Sequence, residues 1–445
     1  MTSTFAHPLL LLLLAICGWA RAHEPFSVRF QWNSVNYTWP SDDAYMIAEN
    51  DESFIEKNNI ISGIKLWKDK MYLTLPRWKP GVPVTLAVTS STPINGQTAP
   101  KLEPYPSWEM QTLDDCRALQ FVQSMEIDPL GRMWVVDTGR TNIITLDAVN
   151  KCPPRLVILD LENEGQVLRS YPFPADVANP ESAYLNDIVV DHEDGGVAYI
   201  TDTDEQHPGI IVYSLANGTS WKVYHESMNA KPDAVGFVIE KIRVTQAFAV
   251  DGIALSPAYT EGERTLYYTP LSSFMVFSVP TRALKSETMR ANISQHIRVL
   301  GRKPSQTDGM VMSNTGILYM GLLADDAVSM WDSKSNPSFV TGQRIISRDH
   351  HLMQWPDTFA FDDKGQLWCI TNRLHTFLEN QTDTSRPNFR AIMSSVNMRN
   401  YQYYENGTFP DLPEITAGAT NAHLVARDAT LLGLGLALLL TFAMH

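Results

Sequence analysis

A short β-rich run, a turn built on Asp, Asn or Gly, and a second β-rich run recur six times along this chain. The copies begin at Ile64, Met125, Ile188, Ile253, Met310 and Phe359, about 50 to 65 residues apart. Two of them read Met125-Glu-Ile-Asp-Pro-Leu-Gly-Arg-Met-Trp-Val-Val and Phe359-Ala-Phe-Asp-Asp-Lys-Gly-Gln-Leu-Trp-Cys-Ile. Apolar residues in runs of this length mark strands, and the Gly-containing turn closes a hairpin. One such spacing accommodates one four-stranded sheet, the size of a propeller blade. A β-helix needs shorter repeats, and a pair of sandwiches would not repeat evenly. The expected fold is therefore all-β, a six-bladed β-propeller over residues 23–405, with the segment before Ile64 supplying an outer strand that closes the ring.

The two ends point outside the cell. Leu9 to Ile16 is apolar and is followed by Ala20-Arg21-Ala22, so residues 1–22 read as a signal peptide. Leu431 to Met444 is apolar but short for a spanning helix. It follows a polar spacer and a cluster of small residues, the layout of a GPI signal. Residues 406–422 are expected to form a polar stalk, exposed from about Asn400 onward, with attachment at Gly418, Ala419 or Asn421. Residues 423–445 are then the removed tail, the alternative being a short membrane anchor. Sequons at Asn36, Asn217, Asn292, Asn380 and Asn406 suit that compartment and belong on surface loops.

An oxidising compartment favours a disulfide. Cys116 and Cys152 flank one blade and are expected to pair, and Cys369, inside an apolar run, is expected to be a buried thiol. The net charge of −14, with no basic cluster, argues against a nucleic-acid partner. An acidic surface would favour small cationic ligands.

Several stretches resemble the yellow/major royal jelly protein family. They include Pro76-Arg-Trp-Lys-Pro-Gly-Val-Pro-Val-Thr-Leu86, Gly131-Arg-Met-Trp-Val-Val-Asp-Thr-Gly139, Asp251-Gly-Ile-Ala-Leu-Ser-Pro257 and Trp355-Pro-Asp-Thr-Phe-Ala-Phe-Asp362. The likeness runs from about residue 60 to 380, although Leu130 stands where many members carry a cysteine. The resemblance implies a six-bladed propeller with a ligand-accessible central channel, biogenic-amine binding in some members, and links to melanin, cuticle or eggshell in others. Dopachrome conversion is attributed to a few.

In a propeller the innermost strands line the channel. Polar residues stand near the start of these strands in several blades: Asn186 and Asp187, Asp251, Asp308, Asp357 and Thr358, with Asn372 near the same mouth. Acidic and amide groups on one axis suit an ammonium ligand. Tyr268, Phe274, Trp355 and Phe377 are candidates to stack on a catechol or indole ring. Asn372, Asp357 and Thr358 lead this set because the resemblance maps amine sites near them. Asx-turn chemistry alone would also explain each Asp. A Ca²⁺ cage is a second reading of the ring, but no compact ligand motif supports a metal, and no cofactor is expected. Neither G-x-S-x-G nor H-E-x-x-H occurs. An isomerase would need a placed acid and base, for which Asp357 with His375 is the candidate pair, while His350 and His351 lie in a polar loop. Three roles remain open: a binding module for small aromatic amines or catechols, a dopachrome-type isomerase, and a non-catalytic structural surface protein.

Overall fold

The computed structural model describes residues 25–258 and 263–415. Among them are six four-stranded antiparallel sheets and one two-stranded hairpin. Each sequence repeat is the inner hairpin of one blade. The inner strands are Gly63–Trp67, Val122–Ile127, Leu185–Asp191, Val250–Leu255, Met310–Met312 and Pro356–Phe361, for blades 1 to 6. The last blade continues through Gln366–Asn372 and Phe389–Ser395, and its fourth strand is Ser27–Trp32 from the other end of the chain. That strand closes the ring, as the segment before Ile64 was expected to do.

Burial follows from this layering. Every residue of Val122–Ile127 and Arg132–Asp137 is buried, because both sheet faces pack on neighbouring blades. The outermost strand Gln166–Pro172 has no buried residue. At the lower ends of the inner hairpins one Asp serves several donors. Asp128 Oδ1 accepts the amides of Leu130 and Arg132, and Oδ2 accepts the Trp134 indole at 3.0 Å. Asp362 repeats this with Lys364, Gln366 and Trp368. Gly131 and Gly365 take the left-handed turn position between each Asp and its Trp, at φ +77° and +78°. The recurrent Asp-x-x-Gly-x-x-Trp spacing is thus a turn plus a side-chain latch.

Blades are tied to each other by polar groups aimed at the next inner strand. Thr74 Oγ1 donates to the Gln123 carbonyl at 2.8 Å, Thr138 Oγ1 to Leu185, Thr203 Oγ1 to Val250 at 2.7 Å, and Asn372 Nδ2 to Ile61 at 3.1 Å. Between blades 5 and 6 the amide of Gly309 donates to the Asp357 carbonyl at 2.7 Å. A Cβ on Gly309 would lie 2.0 Å from that oxygen, so only glycine permits the approach.

Arg77, in the Pro-Arg-Trp stretch after blade 1, is fully buried. All five of its N–H donors go to main-chain carbonyls, those of Val82, Pro83, Gln111, Leu119 and Gln120, at 2.6 to 2.9 Å. Burial pushes its pKa down to about 10, which leaves it charged at neutral pH. A disulfide joins Cys116 to Cys152 beside this knot, and Cys369 is a buried free thiol.

One expectation fails. The segment after Asn400 does not start as an exposed stalk. Tyr401 and Gln402 are buried at the lower end of the channel. The Tyr401 hydroxyl accepts from the Val190 amide at 2.8 Å, and Gln402 bonds His192 and the Ile127 carbonyl. A polar composition concealed side chains that satisfy buried backbone groups.

Replacing Arg77 with Met, which fits the volume, leaves five carbonyls without donors. The expected cost is about 3–5 kcal/mol. It would be read as a lowered denaturant midpoint by tryptophan fluorescence, and an unchanged midpoint would contradict this account.

Candidate functional site: the axial carboxyl ring and its roof

The upper starts of four inner strands carry β-bulges, between Val122 and Met125, Leu185 and Ile188, Val250 and Ile253, and Pro356 and Thr358. A bulge re-aims side chains that regular pairing would alternate. Asp187, Asp251 and Asp357 sit on these bulges, and Asp308 stands just ahead of its strand. In blade 4 the following Gly252 lets the Asp308 carbonyl approach to within 2.2 Å of where a Cβ would stand.

Each carboxyl has named partners. Asp187 accepts from Ser124 Oγ at 2.9 Å, Asp251 from Asn186 Nδ2 at 2.9 Å, Asp308 from the Trp355 indole at 2.6 Å, and Asp357 from Asn372 Nδ2 at 2.6 Å. Asp251 and Asp308 also share a side-chain hydrogen bond. Burial raises all four pKa values, and the neighbouring carboxyls raise them further. Asp187 is pushed up to about 6, and Asp251 and Asp357 go well above the usual carboxylate range. The cluster therefore holds protons at neutral pH. Lower in the channel Lys65 pairs with Glu126 at 3.2 Å, and Tyr401 closes the end. The remaining axial void, which Asp187 and Thr358 line, has about 10 Å³ of room for water. That is room for about one molecule.

A roof covers the ring. The chain between blades 3 and 4 folds into a hairpin, Val238–Ile239 with Ile242–Arg243. Phe237, Ile239 and Val244 join the apolar cluster that contains Trp78, Trp355, Leu374 and Phe377. Phe237 packs on Trp355 with ring centroids 5.7 Å apart. At the hairpin tip Glu240 pairs with Arg373, and Arg386 Nη1 and His375 Nε2 stand 3.8 and 3.9 Å away. Beside the roof is an open cleft of about 480 Å³, which Tyr184 helps to line. The Tyr184 hydroxyl accepts from the Trp78 indole at 2.9 Å and donates to Gln123 at 3.3 Å.

The carboxyls predicted from sequence do converge, but several partners differ from expectation. Tyr268 lies in the blade 4 core, stacked on Phe277 with its hydroxyl on Ser227, and is fully buried. Phe377 is buried between Trp78 and Lys79, whose ammonium stands 3.8 Å from its centroid. Phe274 carries the Arg302 guanidinium. Asn372 spends its amide on Asp357 and on the inter-blade tether. Thr358 Oγ1 donates to Asp357. His375 is fully buried, has no hydrogen-bond partner on either ring nitrogen, and is pushed down to about 4 by burial and by Arg373. Its carboxylate neighbour is Glu240, so the proposed pairing with Asp357 does not form. His350 bonds Asp326 on the surface, and His351 is exposed. Sequence reading missed Tyr184, Trp78 and the roof.

Among the described residues no group of three or more His, Cys, Asp and Glu side chains is arranged to hold a metal ion. No described helix is long and apolar enough to cross a membrane. Asn217, Asn292, Asn380 and Asn406 are exposed, while Asn36 is half-buried with its Oδ1 on Trp39 Nε1. Residues 1–22, expected as a signal peptide, the attachment candidates Gly418, Ala419 and Asn421, and the expected tail 423–445 lie outside the described residues.

The raised carboxyls have a thermodynamic signature. The native state binds more protons than the unfolded chain above about pH 4, so the ring's contribution to stability falls as pH rises from there, through about 6 for Asp187 and Asp308 and beyond it for Asp251 and Asp357. Asp251→Asn keeps the shape and the hydrogen bonds but removes an ionisable group. It should raise unfolding free energy at pH 8 by about 1–3 kcal/mol and leave it unchanged at pH 4. Equal shifts at both pH values would show that the ring does not store protons.

The sequence model described as major royal jelly protein matches residues 120–402. Protein yellow of Drosophila yakuba is 30% identical over 394 residues, covering 87% of this chain and 72% of that protein. Protein yellow of Drosophila subobscura is 31% identical over 398 residues, covering 87% and 68%. Among solved structures, a luciferin-regenerating enzyme superposes with a TM-score of 0.45 at 11% identity, over 80% of this chain and 95% of that one. The repeats, the ring closure and these matches together make this chain a yellow-like member of the major royal jelly protein family.

Proposed function

We propose that this protein works outside the cell as a binding propeller. Its ligands are small aromatic cations, biogenic amines or catechol precursors of pigment, cuticle or eggshell, and they are taken at the axial carboxyl ring. One observation carries this reading. Four carboxyls stand together on one axis, and burial and mutual repulsion keep protons on Asp251 and Asp357 at neutral pH. An ammonium brought into the ring replaces those protons with a fixed positive charge and gains charge-assisted hydrogen bonds. Trp355, already bonded to Asp308, offers an aromatic wall beside that position. The roof must swing aside for entry, and its hold is local: the Glu240 ion pairs and the Phe237–Trp355 contact.

The likeness to Protein yellow supports a part in pigment or cuticle chemistry. The disulfide and the exposed sequons support an extracellular setting. The apolar run Leu431 to Met444 supports attachment to the outer membrane surface through a lipid anchor.

Calorimetric titration of the full-length protein with serotonin, dopamine and octopamine tests the reading. One-to-one binding is expected, weakened at least about tenfold in Asp357→Asn, the loss of one charge-assisted contact. No heat with any of the three, or binding indifferent to Asp357→Asn, would overturn it.

A further inference from the structure

Beside the roof, and away from the axis, the upper face keeps a cleft of about 480 Å³ that the ring does not use. Its walls come from four places in the chain: the loop after the second strand of blade 2 with Arg140 and Ile143, the approach to blade 3 with Tyr184, the loop after the second strand of blade 3 with Asp204 and Glu205, and the approach to blade 4 with Phe248. Tyr184 lines it from the axial side. The volume falls in the range of small-molecule sites.

The chemistry of these walls is two-signed. Arg140 is half-buried and held in place, with Nε on Asn150 Oδ1 at 2.9 Å and Nη1 on the Ala183 carbonyl at 3.1 Å. Its Nη2 makes no hydrogen bond among the described residues, so one edge of a fixed guanidinium remains to be used. Burial lowers its pKa while Asp204 and Glu181 hold it up, so it stays charged. Asp204 is locked by the amides of Gln206 and His207 and by the Ser182 hydroxyl. The Glu205 carboxylate beside it is exposed and makes no hydrogen bond among the described residues. The aromatic part is equally fixed: Tyr184 is pinned by Trp78 and meets Phe121 edge-on at 6.0 Å, and Phe248 is half-buried with its amide on Ser272 Oγ at 3.0 Å.

From this juxtaposition we infer that the cleft is a second binding site, separate from the axial ring, for an aromatic α-amino acid in its zwitterionic form. The ring lies against Tyr184 and Phe248. The carboxylate takes the free edge of Arg140, and the ammonium faces Asp204 and Glu205. An arginine with an unspent edge reads a planar carboxylate better than a point charge would. An amine lacking that carboxylate leaves the guanidinium edge unpaired and meets only half of the site. The cleft and the ring are thereby selective for different ligands.

Calorimetry on the full-length Asp357→Asn protein, in which amine binding at the axial ring is weakened, with L-tyrosine, tyramine and 3-(4-hydroxyphenyl)propionate separates the terms. L-Tyrosine is expected to bind at least about tenfold more tightly than either truncated analogue, the equivalent of one lost charged contact. Arg140→Gln should bring L-tyrosine to the tyramine level and leave tyramine unchanged. Glu205→Gln, at an exposed position without hydrogen bonds, should weaken L-tyrosine and tyramine together and spare the propionate. Phe248→Ala should weaken all three. L-Tyrosine affinity should be the same in the unsubstituted protein, because Asp357 bonds Asn372 and Thr358 and neither lines the cleft. Equal affinities for L-tyrosine and tyramine, no heat with L-tyrosine, or an L-tyrosine affinity that changes with Asp357 would each overturn the inference. The serotonin series tests the axial reading independently, so one can fail without the other.

Discussion

A buried guanidinium without a carboxylate partner organises the upper face. Arg77 reaches five carbonyls drawn from the loop it sits in and from the chain leading into blade 2. It fixes the path of both, and with them two aromatic anchors: Trp78, the next residue, and Phe121, just beyond the carbonyls it binds. Trp78 holds the Tyr184 hydroxyl, and Phe121 holds the Tyr184 ring. The cleft wall is therefore set from a cation more than a hundred residues of chain away. The same loop also reaches the apolar cluster that the roof joins, through Trp78 against Phe377.

The ring of six blades imposes a second constraint. Inner strands crowd at the axis, where backbone oxygens of one blade face side chains of the last. Thr74, Thr138, Thr203 and Asn372 turn that crowding into hydrogen bonds, and Gly309 does so by having no side chain. Asn372 illustrates how position governs role. As an amide at the end of a second strand it resembles a ligand contact, yet it occupies the place where other blades carry a tethering hydroxyl.

The hairpin repeats were legible because their turns use side chains with specific jobs, Asp to accept the turn amides and Gly to take the left-handed position. The axial carboxyls were legible for a related reason: they recur near the start of four of the six inner strands. The aromatic residues were not. Tyr268 and Phe377 have the composition of a binding wall, but which side of a blade they face depends on neighbours far away in sequence. The roof was also hidden. Its turn residues Glu240 and Lys241 adopt φ of +48° and +70°, where a Gly or Asn would have announced a hairpin. Nothing local marks Tyr401 as a plug, because its partners lie over two hundred residues away in Val190 and Glu126.

The course of the chain after Tyr401 gives the disc a stem. It runs along the lower face, where Arg132 bonds the Pro413 carbonyl and Ile415 packs against the cluster shared by blades 2 and 3. The described chain thus ends on the underside. A tether attached there would hold the molecule like a dish on a stalk, its roof and cleft turned toward the surrounding fluid. Ligand exchange would then need no reorientation, however closely the underside were held to a surface.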